Sequence, residues 1–326
     1  MNDTMIRFGN VQLSGRVIMP PLGTYKCTDN GKVTDELVEY YAARAKNPHI
    51  SMIITEHSYI SFQGKAKARQ LSVSEDGDIE GLQRLTKAIH AGGAKAMCQL
   101  NHAGSSVMPG AGPEKMVAPS PVILPVKPEA GLGFPPEELT AEEIKEIVRQ
   151  FAEAAVRAKK AGYDAVEIHS AHAYLLNQFY SPLTNMRTDA YGGSLDKRLQ
   201  IHREAIAAVR EAVGADYPVA IRLGGCDYRE GGSTIDDCVY ASQLFEELGI
   251  DLIDLSGGMC RYTIPGHTEP GYFREMSEAV KNAVKVPVLL TGGVKTLADA
   301  EKLLDEGAAD LIGVGRELFR NAEWES

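Results

Sequence analysis

Cysteine is scarce: five residues in 326, at positions 27, 98, 226, 238 and 260, odd in number and never spaced C-x-x-C. That pattern supports neither a disulfide framework nor a zinc or iron–sulfur cluster, and the thiols read as reduced packing groups. The N-terminal "MNDTMIRFGNVQLSGRV" lacks the basic segment and apolar core of a signal peptide, and no run approaches the ~18 apolar residues of a membrane span. A cytoplasmic protein with no membrane partner is expected. Basic residues are the minority charge, 34 against 44 acidic, for a net charge of −10. This excess argues against a nucleic-acid partner and favours small molecules. Internal repeats are absent, and so is the G-x-G-x-x-G that a Rossmann sheet would carry after its first strand.

What is present is a rhythm of short β-branched runs alternating with helical patterns, the mark of a parallel α/β sheet. The candidate strands are 16–22, 50–55, 95–100, 165–170, 218–223, 252–256, 286–291 and 309–314. Between the third and fourth lies "TAEEIKEIVRQFAEAAVRAKKAG", with Ile144, Ile147, Val148, Phe151, Ala155 and Val156 on one helical face. Thr140 and Glu143 form a capping box that starts this helix, and Gly162 ends it. Eight strand–helix units predict a (β/α)8 TIM barrel, a single domain over 1–326. One Pro- and Gly-rich insertion, 102–139, follows the third strand; on a barrel it would cap the C-terminal mouth as a lid, or merely decorate the surface.

On such a barrel the strand ends converge, so the strand map is also a site map. Polar residues gather there: Gly23 and Tyr25, Glu56 and His57, Gln99 and His102, His169 and His172, and Arg222. Strands seven and eight end in "LLTGGV" and "GVGREL", where Gly292, Gly293 and Gly315 would let backbone N–H groups approach an anion and Arg316 could pair with it. Arg222 lies in an apolar strand and needs an anionic or electron-rich partner, which a structural ion pair or a ligand could supply. In "VEIHSAHAYLLNQFY" two histidines and Tyr174 crowd together. The i, i+3 spacing is not the H-E-x-x-H of a helical zinc site, so no metal is expected. Strand alternation would send His169 and His172 to opposite faces, so the chain must leave the strand near Ser170 for both to meet one ligand.

From about Arg16 to Arg320 the chain resembles the Old Yellow Enzyme family, the FMN-dependent NADH:flavin oxidoreductases and ene-reductases. The resemblance rests on "VIMPPLGTY", "QLNHAG", "EIHSAHAYLLNQFYSPLTNMRTDAYGGSLDKR", "AIRLG", "LTGGV" and "GVGREL", in family order. It implies an FMN berth formed by Pro20, Pro21, Leu22, Gly23 and His57, with Gln99 and Arg222 at the pyrimidine edge and Gly293, Gly315 and Arg316 at the phosphate. It also implies that His169 and His172 hold a substrate carbonyl, that Tyr174 donates a proton, and that Tyr25 lies on the substrate side. Two positions depart from the pattern: Gly23 stands where relatives carry Thr or Cys, and Ser105 where many carry Arg. The chain ends soon after the eighth strand, and no C-terminal iron–sulfur module is expected.

The implied reaction is a ping-pong cycle in which NADH or NADPH gives hydride to FMN and an enone or enoate then takes it at its β-carbon. Two imidazole donors at the carbonyl would act as an oxyanion hole, each such donor being typically worth ~3–4 kcal/mol, and the phenol, protonated at neutral pH, would supply H⁺ to the α-carbon. Three alternatives stay open: the barrel portion of an enoate or 2,4-dienoyl-CoA reductase-like enzyme, a non-redox phosphate-binding barrel enzyme, and a passive flavin binder. A monomer and a homo-oligomer are equally compatible with the sequence.

Overall fold

In the computed structural model, residues 5–110, 112–125 and 134–325 are described. Eight parallel strands close into a barrel: β1 (Val17–Met19), β2 (Ile50–Tyr59), β3 (Lys95–Asn101), β4 (Ala165–Ser170), β5 (Val219–Cys226), β6 (Leu252–Gly257), β7 (Val288–Thr291) and β8 (Leu311–Gly313). The seam is the pairing of β8 with β1, Ile312 beside Val17. The eight strands fall where the sequence predicts them, but their lengths differ. β1 stops at Met19 because Pro20 and Pro21 have no N–H to give a ladder. β2 runs four residues past its expected end through an irregularity between Thr55 and Ser58.

The strands alternate with helices α1 (Asp35–Ala45), α2 (Ile79–Ala91), α3 (Ala141–Lys160), α4 (Gln200–Val213), α5 (Ile235–Glu247), α6 (Arg274–Lys281), α7 (Leu297–Asp305) and α8 (Arg316–Arg320). The Thr140–Glu143 capping box starts α3 as expected. Ile144, Ile147, Phe151 and Ala155 are buried; Val148 and Val156 are only half-buried at the edge of the stripe. Thr234 with Asp237 and Thr296 with Asp299 repeat the same box on α5 and α7.

Inside the barrel, period-two alternation sorts the side chains into levels. The lower level is apolar: Ile18, Met52, Met97, Ala165, Ala220, Leu252, Leu289 and Leu311 pack with Phe8 and Val11 of an N-terminal hairpin that closes that end. Two residues further along the same strands the interior turns polar, with Gln99, Glu167, Arg222 and Asp254; beyond these stand His169 and Ser256. The fold thus gathers the inward-facing polar residues of these strands at one end.

Of the 102–139 insertion, residues 111 and 126–133 lie outside the described residues. Its described parts carry the short pair Val117–Ala118 and Glu137–Glu138. Arg187, from the segment after β4, donates to the carbonyls of Pro119 at 3.0 Å and Leu139 at 2.6 Å, and also binds Asp189.

Candidate active site

At the carboxyl ends of the strands lies a cavity of about 380 Å³, within the range of roughly 300–1,000 Å³ typical of small-molecule sites. Every site residue expected from the sequence borders it. Pro20, Pro21, Leu22 and Gly23 come from the extended chain after β1, His57 from β2, Gln99 from β3 and Arg222 from β5. Gly293, Gly315 and Arg316 border it beyond β7 and β8, and Tyr25, His169, His172 and Tyr174 complete the lining. Glu56 and His102, also noted at strand ends, are absent from the lining and serve the walls. Glu56 accepts from Thr24 N and from Cys27 Sγ, and His102 Nδ1 accepts from Gly104 N at 3.1 Å.

The chain does leave the strand at Ser170, by an uncommon route. His172 and Ala173 both take left-handed backbone, φ 61° and 63°, a conformation costing about 1–2 kcal/mol per non-glycine residue. Bonds hold the turn: His172 N donates to Gly257 O at 3.2 Å, and Ala173 N to Asn177 Oδ1 at 2.8 Å. The result is a compact aromatic cluster. The ring centroids of His169 and His172 are 5.1 Å apart, those of His169 and Tyr174 5.2 Å, and Tyr174 Oη lies 3.3 Å from His57 Nε2.

Burial holds His57, His169 and His172 well below the ordinary imidazole value, with the positive charges of Arg222 and Lys67 adding to it for His57 and His172. They are neutral, each with a single N–H. Ser256 Oγ lies 2.7 Å from His172 Nε2; a hydroxyl donating there leaves the proton on Nδ1. Among the described residues no group of three or more His, Cys, Asp or Glu is placed to hold a metal ion.

Several lining residues escaped the sequence reading. Lys67 reaches in from the loop after β2, donating to Tyr25 Oη at 3.1 Å. A Cβ on Gly23 would lie 3.3 Å from its Nζ, so a side chain at 23 would press on the ammonium. Burial opposes its charge, but Tyr174 and Tyr25 outweigh it and the Lys67 pKa is raised. Arg261 arrives from the turn after β6 and binds Ser106 Oγ of the insertion at 2.9 Å. No local pattern marks these loop cations. Glu167 and Asp254, by contrast, carried a readable signal: a charge at an inward position of an apolar strand.

The β7–β8 end suits an anion. Gly293 has φ 73°, and a Cβ there would strike Glu269 O at 2.2 Å, so only glycine fits. Arg316 projects beside it, its Nη2 3.5 Å from Tyr272 Oη. Four lining residues keep buried polar atoms without a hydrogen-bond partner among the described residues: His169 Nδ1, Arg222 Nε, Arg261 Nε and Thr291 Oγ1. Such atoms normally find one, and a polar ring system with an anionic tail would provide it.

The sequence matches the NADH:flavin oxidoreductase / NADH oxidase family over residues 4–326. The chain belongs to this family. It is 39% identical over 325 residues to an NADH oxidase of Thermoanaerobacter brockii, covering 98% of this chain and 49% of that protein. It is also 36% identical over 315 residues to an NADPH dehydrogenase of Halalkalibacterium halodurans, covering 96% of this chain and 89% of the other. The structure of the old yellow enzyme homologue from Zymomonas mobilis superposes with a TM-score of 0.84 at 26% identity, over 98% of this chain and 89% of that one. The chain thus spans about half the length of the first of these relatives and most of the others. Named members of this family include NADH oxidases and NADPH dehydrogenases, and the unpartnered cavity atoms fit a flavin cofactor.

Proposed function

We propose that this chain is an ene-reductase, using NAD(P)H and FMN to reduce the C=C bond of α,β-unsaturated carbonyl compounds. The observation that carries the proposal is the His169–His172–Tyr174 cluster, lining one cavity with the glycine and arginine corner of Gly293, Gly315 and Arg316. FMN, when bound, would supply the hydride chemistry that links nicotinamide to alkene. Its berth would be formed by Pro20, Pro21, Leu22, Gly23 and His57, with Gln99 and Arg222 at the polar ring edge.

The residues around it divide the remaining work. His169 and His172 direct N–H groups at the substrate carbonyl oxygen, where charge builds as hydride arrives at the β-carbon. Their neutrality matters, because a neutral donor stabilises that oxygen without adding a buried charge. Ser256, when it donates to Nε2, keeps the His172 proton on Nδ1, from where it can hydrogen-bond the substrate oxygen. Tyr174 gives its phenolic proton to the α-carbon, and Tyr25 borders the substrate side. The described part of the insertion contributes Ser106 and Met108 to the cavity wall, which limits the water that could compete for that proton.

Tyr174→Phe tests the assignment. The variant is expected to bind FMN and be reduced by NADH or NADPH at the wild-type rate in anaerobic stopped flow, while enone reduction slows about 10²–10⁴-fold, the range of a lost general acid. Equal slowing of both half-reactions would remove Tyr174 from the proton-donor role. A protein that takes up no FMN would remove the function itself.

A further inference from the structure

Below the cavity, consecutive strands carry charge that the proposed chemistry does not use. Glu167 on β4 and Asp254 on β6 are 0% exposed, with Arg222 of β5 between them. Gln99 of β3 completes the row: its Nε2 donates to Glu167 Oε1 at 2.9 Å, while Arg222 Nε stands 3.1 Å from Asp254 Oδ2. One cation therefore serves two buried carboxyls. Were both ionised, the row would bury a net negative charge, and neither could donate to the other. Glu167 Oε2 and both Asp254 oxygens would then be acceptors with no hydrogen-bond donor, as they stand in the structure. A single proton removes both faults: the contact between carboxyls becomes an O–H···O bond, and the charges of the row sum to zero.

We propose that Glu167 and Asp254 hold one proton in common beneath the cavity, acting as positioning residues that orient Gln99 and balance Arg222 for the electron-rich edge of the cofactor. The inference rests on the FMN reading for its second half only. Burial raises both carboxyls; Asp254 raises Glu167 further, whereas Arg222 pulls Asp254 back, so Glu167 carries the proton. With that proton directed at Asp254, Glu167 Oε1 accepts from the Gln99 amide nitrogen, which leaves the amide oxygen of Gln99 for the cavity.

The pair also has a place for a second proton. Hydride from NADH or NADPH brings two electrons and one hydrogen nucleus to the site, leaving negative charge beside Arg222. Asp254 would then take up one proton from bulk solvent, H₃O⁺ becoming H₂O and its carboxylate a carboxylic acid, and Arg222 would be freed to balance the new charge. Among the described residues no other group facing Arg222 can do this: Glu167 already holds its proton, the raised phenol of Tyr272 is already protonated, and burial keeps His57, His169 and His172 neutral.

Infrared spectra in H₂O and D₂O, recorded without FMN at pH 7.5, test the shared proton. A carboxylic-acid C=O band is expected that Glu167→Gln removes; any band that stays belongs to Glu56, whose pKa burial also raises. The midpoint potential of the FMN-loaded protein tests the second proton. In the wild type it should fall with pH more steeply than in the Glu167→Gln, Asp254→Asn double variant, which keeps the shapes but cannot titrate. The expected difference is about 30 mV per pH unit, the tenfold change in proton activity converted for a two-electron couple. A wild type with no band sensitive to Glu167→Gln overturns the shared proton, and equal slopes overturn the redox link. Failure to take up FMN overturns the cofactor reading alone, because the infrared band is read without it.

Discussion

At the scale of single residues, the site divides by where its members sit in the chain. His169, Arg222 and Gln99 were legible because each interrupts or ends an apolar strand, and the barrel turns such positions toward one mouth. Lys67 and Arg261 were not, since a loop cation looks like any solvated one until the fold aims it. Their arrival has a chemical consequence for the choice of alkene. An ammonium held charged beside Tyr25 and Tyr174 favours a substrate with an anionic substituent. In Lys67→Gln the KM for an enoate is expected to rise about tenfold, equivalent to ~1.4 kcal/mol, while that for a neutral enone of similar size stays unchanged. Parallel changes in both would mean that Lys67 shapes the pocket and does not read charge. At Gly23 an added side chain would press on Lys67 Nζ and His57 Cε1, 3.3 and 3.4 Å from its Cβ.

At the scale of elements, order and number followed from periodicity, whereas lengths followed from backbone chemistry that periodicity ignores. The two prolines after Met19 shorten β1, and the irregularity in β2 carries it on to Tyr59. The insertion shows a different kind of dependence. Arg187 ties Pro119 and Leu139 of the insertion to the segment after β4. No spacing rule links residue 187 to 119 and 139; only the folded chain brings them together. Arg187→Met would leave both carbonyls short of a donor, at about 1–3 kcal/mol each, and the loss should be local. Limited proteolysis within 102–139 is expected to accelerate about tenfold or more, with little change in the urea midpoint of the barrel. A lowered midpoint without faster cleavage would make Arg187 a prop of the barrel instead.

For the molecule as a whole, the buried polar groups set the response to acid. Burial lowers the pKa values of five imidazoles, His57, His102, His169, His172 and His202, with His102 and His202 pushed down to about 3. In the unfolded chain each takes a proton below about 6.5; in the fold it does not. Their contribution to stability is therefore full above that pH and lost as pH falls. Glu56, Glu167 and Asp254 are raised by burial and act in the opposite sense, keeping protons in the fold that the unfolded chain releases. The five imidazoles outnumber the carboxyls, so stability is expected to fall as pH drops through about 6. Urea midpoints at pH 7.5 and 5.5 check the sign: the value at 5.5 should be clearly lower, and an equal or higher one would show that the carboxyls dominate. The apolar end of the barrel, filled by Phe8, Val11 and the strand residues above them, bears on traffic. With one end packed shut, nicotinamide and alkene share a single doorway under the proposed cycle, and a surplus of either keeps the other waiting. Flux then depends on the ratio of the two concentrations, so the enzyme weighs the supply of reducing power against the load of alkene.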